Sequence, residues 1–107
     1  MKIVYTLHAQ NDLQGIYEYI AFDLLSPISA KTTANKIIQE VRSLEILPER
    51  NPLCKDEPWK SQGVRVLSVK KYSVFYTVRP DTDTVTVARI IYGGRDIPQQ
   101  LQDTTEW

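Results

Sequence analysis

The first half of the chain changes its hydrophobic period once, and the change marks two kinds of element. KIVYTL, from Lys2 to Leu7, is short, β-branched and partly alternating, which predicts a strand. From Ala9 to Leu25 the spacing lengthens. Leu13, Ile16, Tyr17, Ile20 and Leu24 fall at i, i+3, i+4, i+7 and i+11, the apolar stripe of a helix. Gly15 costs such a helix about 1 kcal/mol relative to alanine, and its place on the helix suggests a close approach to a neighbour. Ser26–Ser29, SPIS, interrupts the pattern: Ser26 is the expected N-cap of a second helix and proline suits its first turn. That helix is expected to run to about Leu47, with Ala30, Ala34, Ile37, Val41 and Leu44 buried and Ile38 and Leu47 on its flanks. So short a link predicts an antiparallel helix hairpin.

Pro48 to Gly63, PERNPLCKDEPWKSQG, has no period, and its three prolines and mixed charges predict an ordered loop in which Trp59 is a core plug. Three strands follow: Val64–Lys70, Tyr72–Val78 and, after the turn RPDTDT, Val85–Tyr92. Each mixes alternation with wholly apolar stretches. One face of the sheet should therefore lie under the helix hairpin and the other be only partly covered. The tail from Ile97 to Trp107 is polar and Gln-rich, enough for one short helical turn. The expected fold class is α+β, in the order β-α-α-β-β-β, with the helix hairpin packed on one face of an antiparallel sheet.

The length of 107 residues suits a single domain spanning 1–107. No apolar run reaches the roughly 18–20 residues of a membrane span, and MKIVYTLH is too short for a secretory signal. A cytoplasmic protein is expected, with no membrane partner. Cys54 is the only cysteine, which excludes an internal disulfide, and with no histidine nearby it reads as an inert thiol. His8, the only histidine, reads as a cap or surface residue. One His and one Cys cannot form a zinc site of the usual N/S kind, no spaced acidic cluster invites magnesium, and no glycine-rich phosphate loop is present. Neither a metal nor a cofactor is expected. Thirteen basic residues balance thirteen acidic ones, which counts against a dedicated nucleic-acid binder.

What remains is a set of cations on or beside strands. Arg65 lies in VRVLSV, Arg89 in VARII, Lys70 and Lys71 between two strands, and Arg95 just after Gly93-Gly94. An arginine on a strand needs a partner or water. Two arrangements satisfy that: surface ion pairs with Asp or Glu, or convergence of Arg65, Arg89 and Arg95 on a phosphate, which planar guanidinium groups grip in a bidentate way.

The stretches SQGVRVLSVKKYSVFYTV and RIIYGGRDI, in that order, resemble the toxins of the RelE/ParE superfamily of bacterial type II toxin–antitoxin systems. The resemblance covers nearly the whole chain, including Leu47-Pro48 after the helix hairpin, and is most specific over roughly the last 45 residues. It implies a toxin neutralised by an antitoxin in a hetero-oligomer. Two activities occur in the superfamily. RelE-like members are metal-free endoribonucleases that cut mRNA on the ribosome; ParE-like members inhibit DNA gyrase. The first activity would assign Arg65 and Arg95 to the phosphate, Tyr92 to proton donation or base stacking, and Lys70, Lys71 and Arg89 to substrate binding. Tyr92 stands where many relatives carry histidine, and Leu101 roughly where some ribosome-cutting members carry a catalytic tyrosine. These departures keep gyrase inhibition, or a non-catalytic antitoxin-binding role, open as alternatives. The glycines are expected to turn the chain and deliver Arg95, with Asp96 capping the turn that follows.

Overall fold

A computed structural model describes residues 1–107. The elements run β1 (Lys2–Tyr5), α1 (Leu7–Glu18), a wide π-type turn (Tyr19–Asp23), α2 (Pro27–Arg42), β2 (Arg65–Val69), β3 (Tyr72–Arg79), β4 (Thr84–Tyr92) and α3 (Ile97–Gln102). The strand order is β1-β4-β3-β2. β2, β3 and β4 are antiparallel, as expected, but β1 pairs with β4 in parallel, so the sheet is mixed. The reason is topological: α1 and α2 carry the chain away from β1, and β4 returns beside it in the same direction.

Each face of the sheet carries a core. Ile37, Val41 and Leu44 pack with Ala9 against Leu67, Val69, Val74, Tyr76, Val85, Val87 and Ile90, which forms the core beneath the helix hairpin. On the opposite face Phe75, Ile91 and Val64 meet Cys54 and Trp59 from the long loop and Leu101 from α3. Trp59 is the plug that its isolation in a polar loop suggested. The 53–64 loop and the tail cover only part of this face, as expected: Val4 and Ser68 are exposed and Ser73, Thr84 and Thr86 only part-buried.

Capping explains where the helices begin. The Thr6 hydroxyl accepts from the Ala9 N–H and donates to the Ala88 carbonyl, fixing the β1–α1 junction to β4. The cap is therefore Thr6 rather than His8, which lies in the first turn. Ser26 stands at the N-cap position of α2 with Pro27 next to it, but its side chain makes no capping bond. Asp96 does cap α3, accepting from the Gln99 N–H at 3.3 Å.

Three expectations about α1 and its hairpin are corrected. A Cβ added to Gly15 would meet nothing within 4 Å, so no neighbour approaches it closely. Leu24 and Leu47, read as packing residues, are exposed. Leu24 belongs to a tip where Tyr19, Phe22, Leu25 and Ile28 are also exposed, Leu25 and Ile28 by 82% and 83%. Leu25 also holds φ at 53°, a left-handed conformation that costs a non-glycine residue free energy.

Candidate functional site

A β-bulge decides which way the strand arginine points. Along β4, Val85 pairs with Val78 and Val87 with Tyr76, all facing the helix hairpin. Arg89 then pairs with Phe75, leaving Ala88 as the extra residue. That one residue reverses the alternation. Ile90 takes the hairpin face, and Arg89 joins Phe75 and Ile91 on the other.

Arg89 is only 4% exposed, and all five of its N–H groups are used. Nε donates to Asp12 Oδ2 at 2.7 Å, and Nη2 donates to Asp12 Oδ1 at 3.1 Å and Gln100 Oε1 at 3.0 Å. Nη1 donates to the Gln100 carbonyl at 2.9 Å and to Thr104 Oγ1 at 3.1 Å. Asp12 also accepts from the Ile90 N–H at 2.9 Å, on the edge of β4 beyond the end of β1. Arg89 thus ties α1 to α3 across the sheet edge. With no donor left over, its guanidinium cannot also bind a phosphate, which corrects its assignment to substrate.

Arg65 stands at the other end of the sheet. Its Nη1 donates to the Asn51 carbonyl at 2.7 Å, and Nη2 lies 3.8 Å from Glu49. The same turn is held by Tyr76, whose hydroxyl donates to the Pro48 carbonyl at 2.6 Å and accepts from Asn51 Nδ2 at 3.1 Å. Burial pushes the Tyr76 phenol above its ordinary range. Arg65 pairs with Tyr76, whereas Tyr92 pairs with Tyr72, the β3 partner of Val69. Those rows are four residues apart, about 13 Å along the strand, and β2 and β4 are two spacings of about 4.8 Å apart. The fold therefore does not bring Arg65 beside Arg95, and the convergence of three arginines on one anion is not formed.

Tyr92, Arg95 and Lys71 do come together. The Gly93 N–H donates to the Lys71 carbonyl at 2.8 Å and the Arg95 N–H to the Tyr92 carbonyl at 3.0 Å, so the glycine turn folds onto the β2–β3 hairpin. A Cβ on Gly94 would lie 2.5 Å from Tyr92 Cε2; only glycine lets that ring fold back over the turn. The ring packs edge-on against Tyr72, with centroids 5.8 Å apart. Burial raises the Tyr72 phenol's pKa, and the nearby Tyr92 and Tyr19 phenols raise it further.

These residues line a groove of about 790 Å³ between the hairpin and the end of the sheet, with Asn11, Gly15, Ile16, Leu24, Ser29 and Thr33 from the helical side. Lys71 and Arg95 are exposed, and neither lies within ion-pair distance of a carboxylate. Asp12, also on the wall, is already neutralised by Arg89. Lys70 holds φ at 53° in the tight β2–β3 turn and is exposed outside the groove. Sequence reasoning missed Tyr19, because its contribution depends on the π-type turn. Cys54 is buried, and burial first, then Asp56, raises its thiol to about 11, which suits a core residue rather than a nucleophile. No group of three or more His, Cys, Asp or Glu side chains is arranged to hold a metal ion, and no helix is long and apolar enough to cross a membrane.

Comparison with known proteins agrees with this architecture. Residues 3–97 match the model of a family described as the ParE toxin of the type II toxin–antitoxin system parDE. Among solved structures, the chain is similar to one from the chromosomal ParDE system of P. aeruginosa, with a TM-score of 0.70 and 24% identity over 86% of this chain and 95% of that one. It is also similar to one from the RelBE2 toxin–antitoxin complex of Mycobacterium tuberculosis, with a TM-score of 0.60 and 17% identity over 85% and 95%. At these identities the two structures speak for the fold. The search of curated proteins yields no match.

Proposed function

The chain belongs to the ParE toxin family of type II toxin–antitoxin systems, and from that premise we propose that it arrests growth by inhibiting DNA gyrase, and that a cognate antitoxin neutralises it. The observation that carries this reading is the dispersal of the cations that RNA cleavage would need. Arg89 is saturated inside the fold, and Arg65 is engaged with Asn51 and Glu49 at the far end of the sheet. Transesterification of RNA needs a base, an acid and charge stabilisation around one phosphate. With Asp12 engaged by Arg89, the groove offers the phenols Tyr19, Tyr72 and Tyr92 beside Lys71 and Arg95, and no histidine or unpaired carboxylate to act as the base. Inhibition of a protein target needs no such set. It needs an exposed docking surface, and the apolar hairpin tip formed by Phe22, Leu24, Leu25 and Ile28 supplies one.

The test is a supercoiling assay with purified gyrase, run beside an mRNA-decay measurement in cells. Blocked supercoiling with intact messages is expected. Normal supercoiling at a toxin excess sufficient for growth arrest would remove the gyrase reading. A second reading, cleavage of mRNA on the ribosome, is favoured by one observation: Lys71, Tyr92 and Arg95 share one solvent-facing groove. It requires shortened ribosome-bound messages, and loss of that shortening in Arg95→Ala.

A further inference from the structure

The tip of the helix hairpin is apolar on the outside as well as within. Its inner side has a small core of its own, in which Ile20, Ala21 and Ala30 are buried and Ile16 and Tyr17 pack against them. The backbone closes the turn: the Leu24 N–H donates to the Tyr19 carbonyl and the Ser26 N–H to the Ile20 carbonyl. Tyr19, Phe22, Leu24, Leu25 and Ile28 stand outside that core, 55%, 67%, 55%, 82% and 83% exposed. Together they leave roughly 650 Å² open to water, at the top of the range for the largest apolar patch on a monomer and within the about 600–1,000 Å² that each partner gives to a standard interface. Leu25 also holds a left-handed backbone conformation, a strain that its own side chain does not offset by burial in this chain.

We infer that the hairpin tip is a self-association surface, on which a second copy of this chain docks about a two-fold axis, and that the dimer masks the surface assigned above to the protein target. The masking rests on that reading; the dimer does not. The exposed side chains all come from the single stretch between Tyr19 and Ile28, so a two-fold axis through the turn brings like against like, as a closed isologous interface requires. The charges flanking the stretch have both signs. Glu18 and Asp23 lie on the α1 side and Lys31 on α2; all are exposed, and none is paired within the chain. Crossing two hairpins antiparallel sets the acids of each copy toward the lysine of the other, which fixes the register. The balance of acidic and basic residues removes the long-range repulsion that keeps like chains apart. A lipid surface fits less well, because Glu18 and Asp23 stand where a membrane-bound helix carries Lys or Arg.

Sedimentation velocity of the purified chain, from low to high micromolar concentration, tests it. A reversible monomer–dimer equilibrium is expected. Leu25→Glu and Ile28→Glu place like charges against each other across the axis, and each should raise the dissociation constant at least about tenfold. Both side chains are exposed, so at low concentration the variants should keep the wild-type melting temperature, which excludes misfolding as the cause. Ile46→Glu, at an exposed apolar side chain beyond the far end of α2, should leave the equilibrium unchanged. Lys31→Glu should weaken the dimer, and mixing that variant with a Glu18→Lys, Asp23→Lys chain should restore association. Ile28→Cys should form an inter-chain disulfide on mild oxidation, since Cys54 is buried and does not compete. The linked form should inhibit gyrase supercoiling less than the same variant after reduction. Equal inhibition in the two forms would overturn the masking while leaving the dimer; a wild-type chain that does not inhibit would remove the masking together with the gyrase reading, and sedimentation would still decide the dimer. A chain that stays monomeric throughout, one that grows into open-ended oligomers, a dimer indifferent to both glutamate variants, or a monomer that partitions onto anionic lipid vesicles through Leu25 and Ile28, would each overturn the inference.

Discussion

Replacing Asp12 by alanine tests the tie between α1 and α3 directly. The Arg89 and Asp12 side chains are 5% and 13% exposed, so this pair is shielded from the solvent screening that reduces surface ion pairs to about 1 kcal/mol or less. Asp12→Ala removes three of the contacts described above. Two come from the guanidinium, which is left buried and uncompensated, and one from the Ile90 N–H, which loses its only acceptor at the sheet edge. Breaking one side of a buried pair costs about 3–5 kcal/mol, a large share of the roughly 5–15 kcal/mol that stabilises a domain of this size. At about 4–8 °C per kcal/mol, the melting temperature should fall by at least about 12 °C. Urea titration at neutral pH gives the free energy directly. Asp12→Asn keeps one oxygen acceptor and should lie between alanine and wild type. The double variant Asp12→Leu with Arg89→Met removes the charge as well, and should be less damaging than the sum of its single changes. A loss below about 1 kcal/mol for Asp12→Ala would show that water reaches the pair and that it does not hold α3 in place.

Other outcomes follow from single side chains. Gly15→Ala should stabilise the protein by up to about 1 kcal/mol, because α1 gains a better helix former and the added methyl meets nothing; a loss in thermal denaturation would contradict the open space. Gly94→Ala should displace the Tyr92 ring and cost the edge-on contact with Tyr72, worth about 0.5–1.5 kcal/mol, visible as a change in the near-ultraviolet aromatic dichroism. Tyr76→Phe should cost about 1–3 kcal/mol, since the Pro48 carbonyl loses its donor and Asn51 its acceptor, and should loosen the turn that holds Arg65. The Cys54 thiol, raised to about 11, should react with iodoacetamide at pH 8 far more slowly in the folded chain than in urea. Its stabilising effect should be complete below about pH 9 and be lost as pH rises through 11, because the unfolded chain releases that proton first; the Tyr5, Tyr72 and Tyr76 phenols, also raised, act in the same direction.

Much of the fold was legible from periodicity. The 3.6-residue stripe through Ala30, Ile37, Val41 and Leu44 located α2, and alternation in the last third of the chain located three strands, because burial of one face imposes those periods on any sequence. Glycine and charge chemistry located the turn at Gly93-Gly94 and the cap at Asp96. The parallel pairing of β1 was not legible, since a strand looks the same whichever way its neighbour runs. Neither was the bulge. Val-Ala-Arg-Ile-Ile reads equally well with Arg89 on either face, and only the pairing with β3, one residue out of step at Ala88, sends its guanidinium to Asp12, Gln100 and Thr104.

For the site, the chain's own order of residues determined which chemistry was available: cations and phenols near strand ends, with one histidine and one cysteine too few for the usual zinc site. Tertiary structure decided which of those groups meet. It placed Arg65 at one end of the sheet and Arg95 at the other, and it closed Arg89 inside a network. It also carried Tyr19 some fifty residues along the chain to stand beside Tyr72. The physical reason is that a residue's type and local period are set by its immediate neighbours in sequence. Its partners are set by strand register and helix docking, which depend on the summed packing of the whole chain.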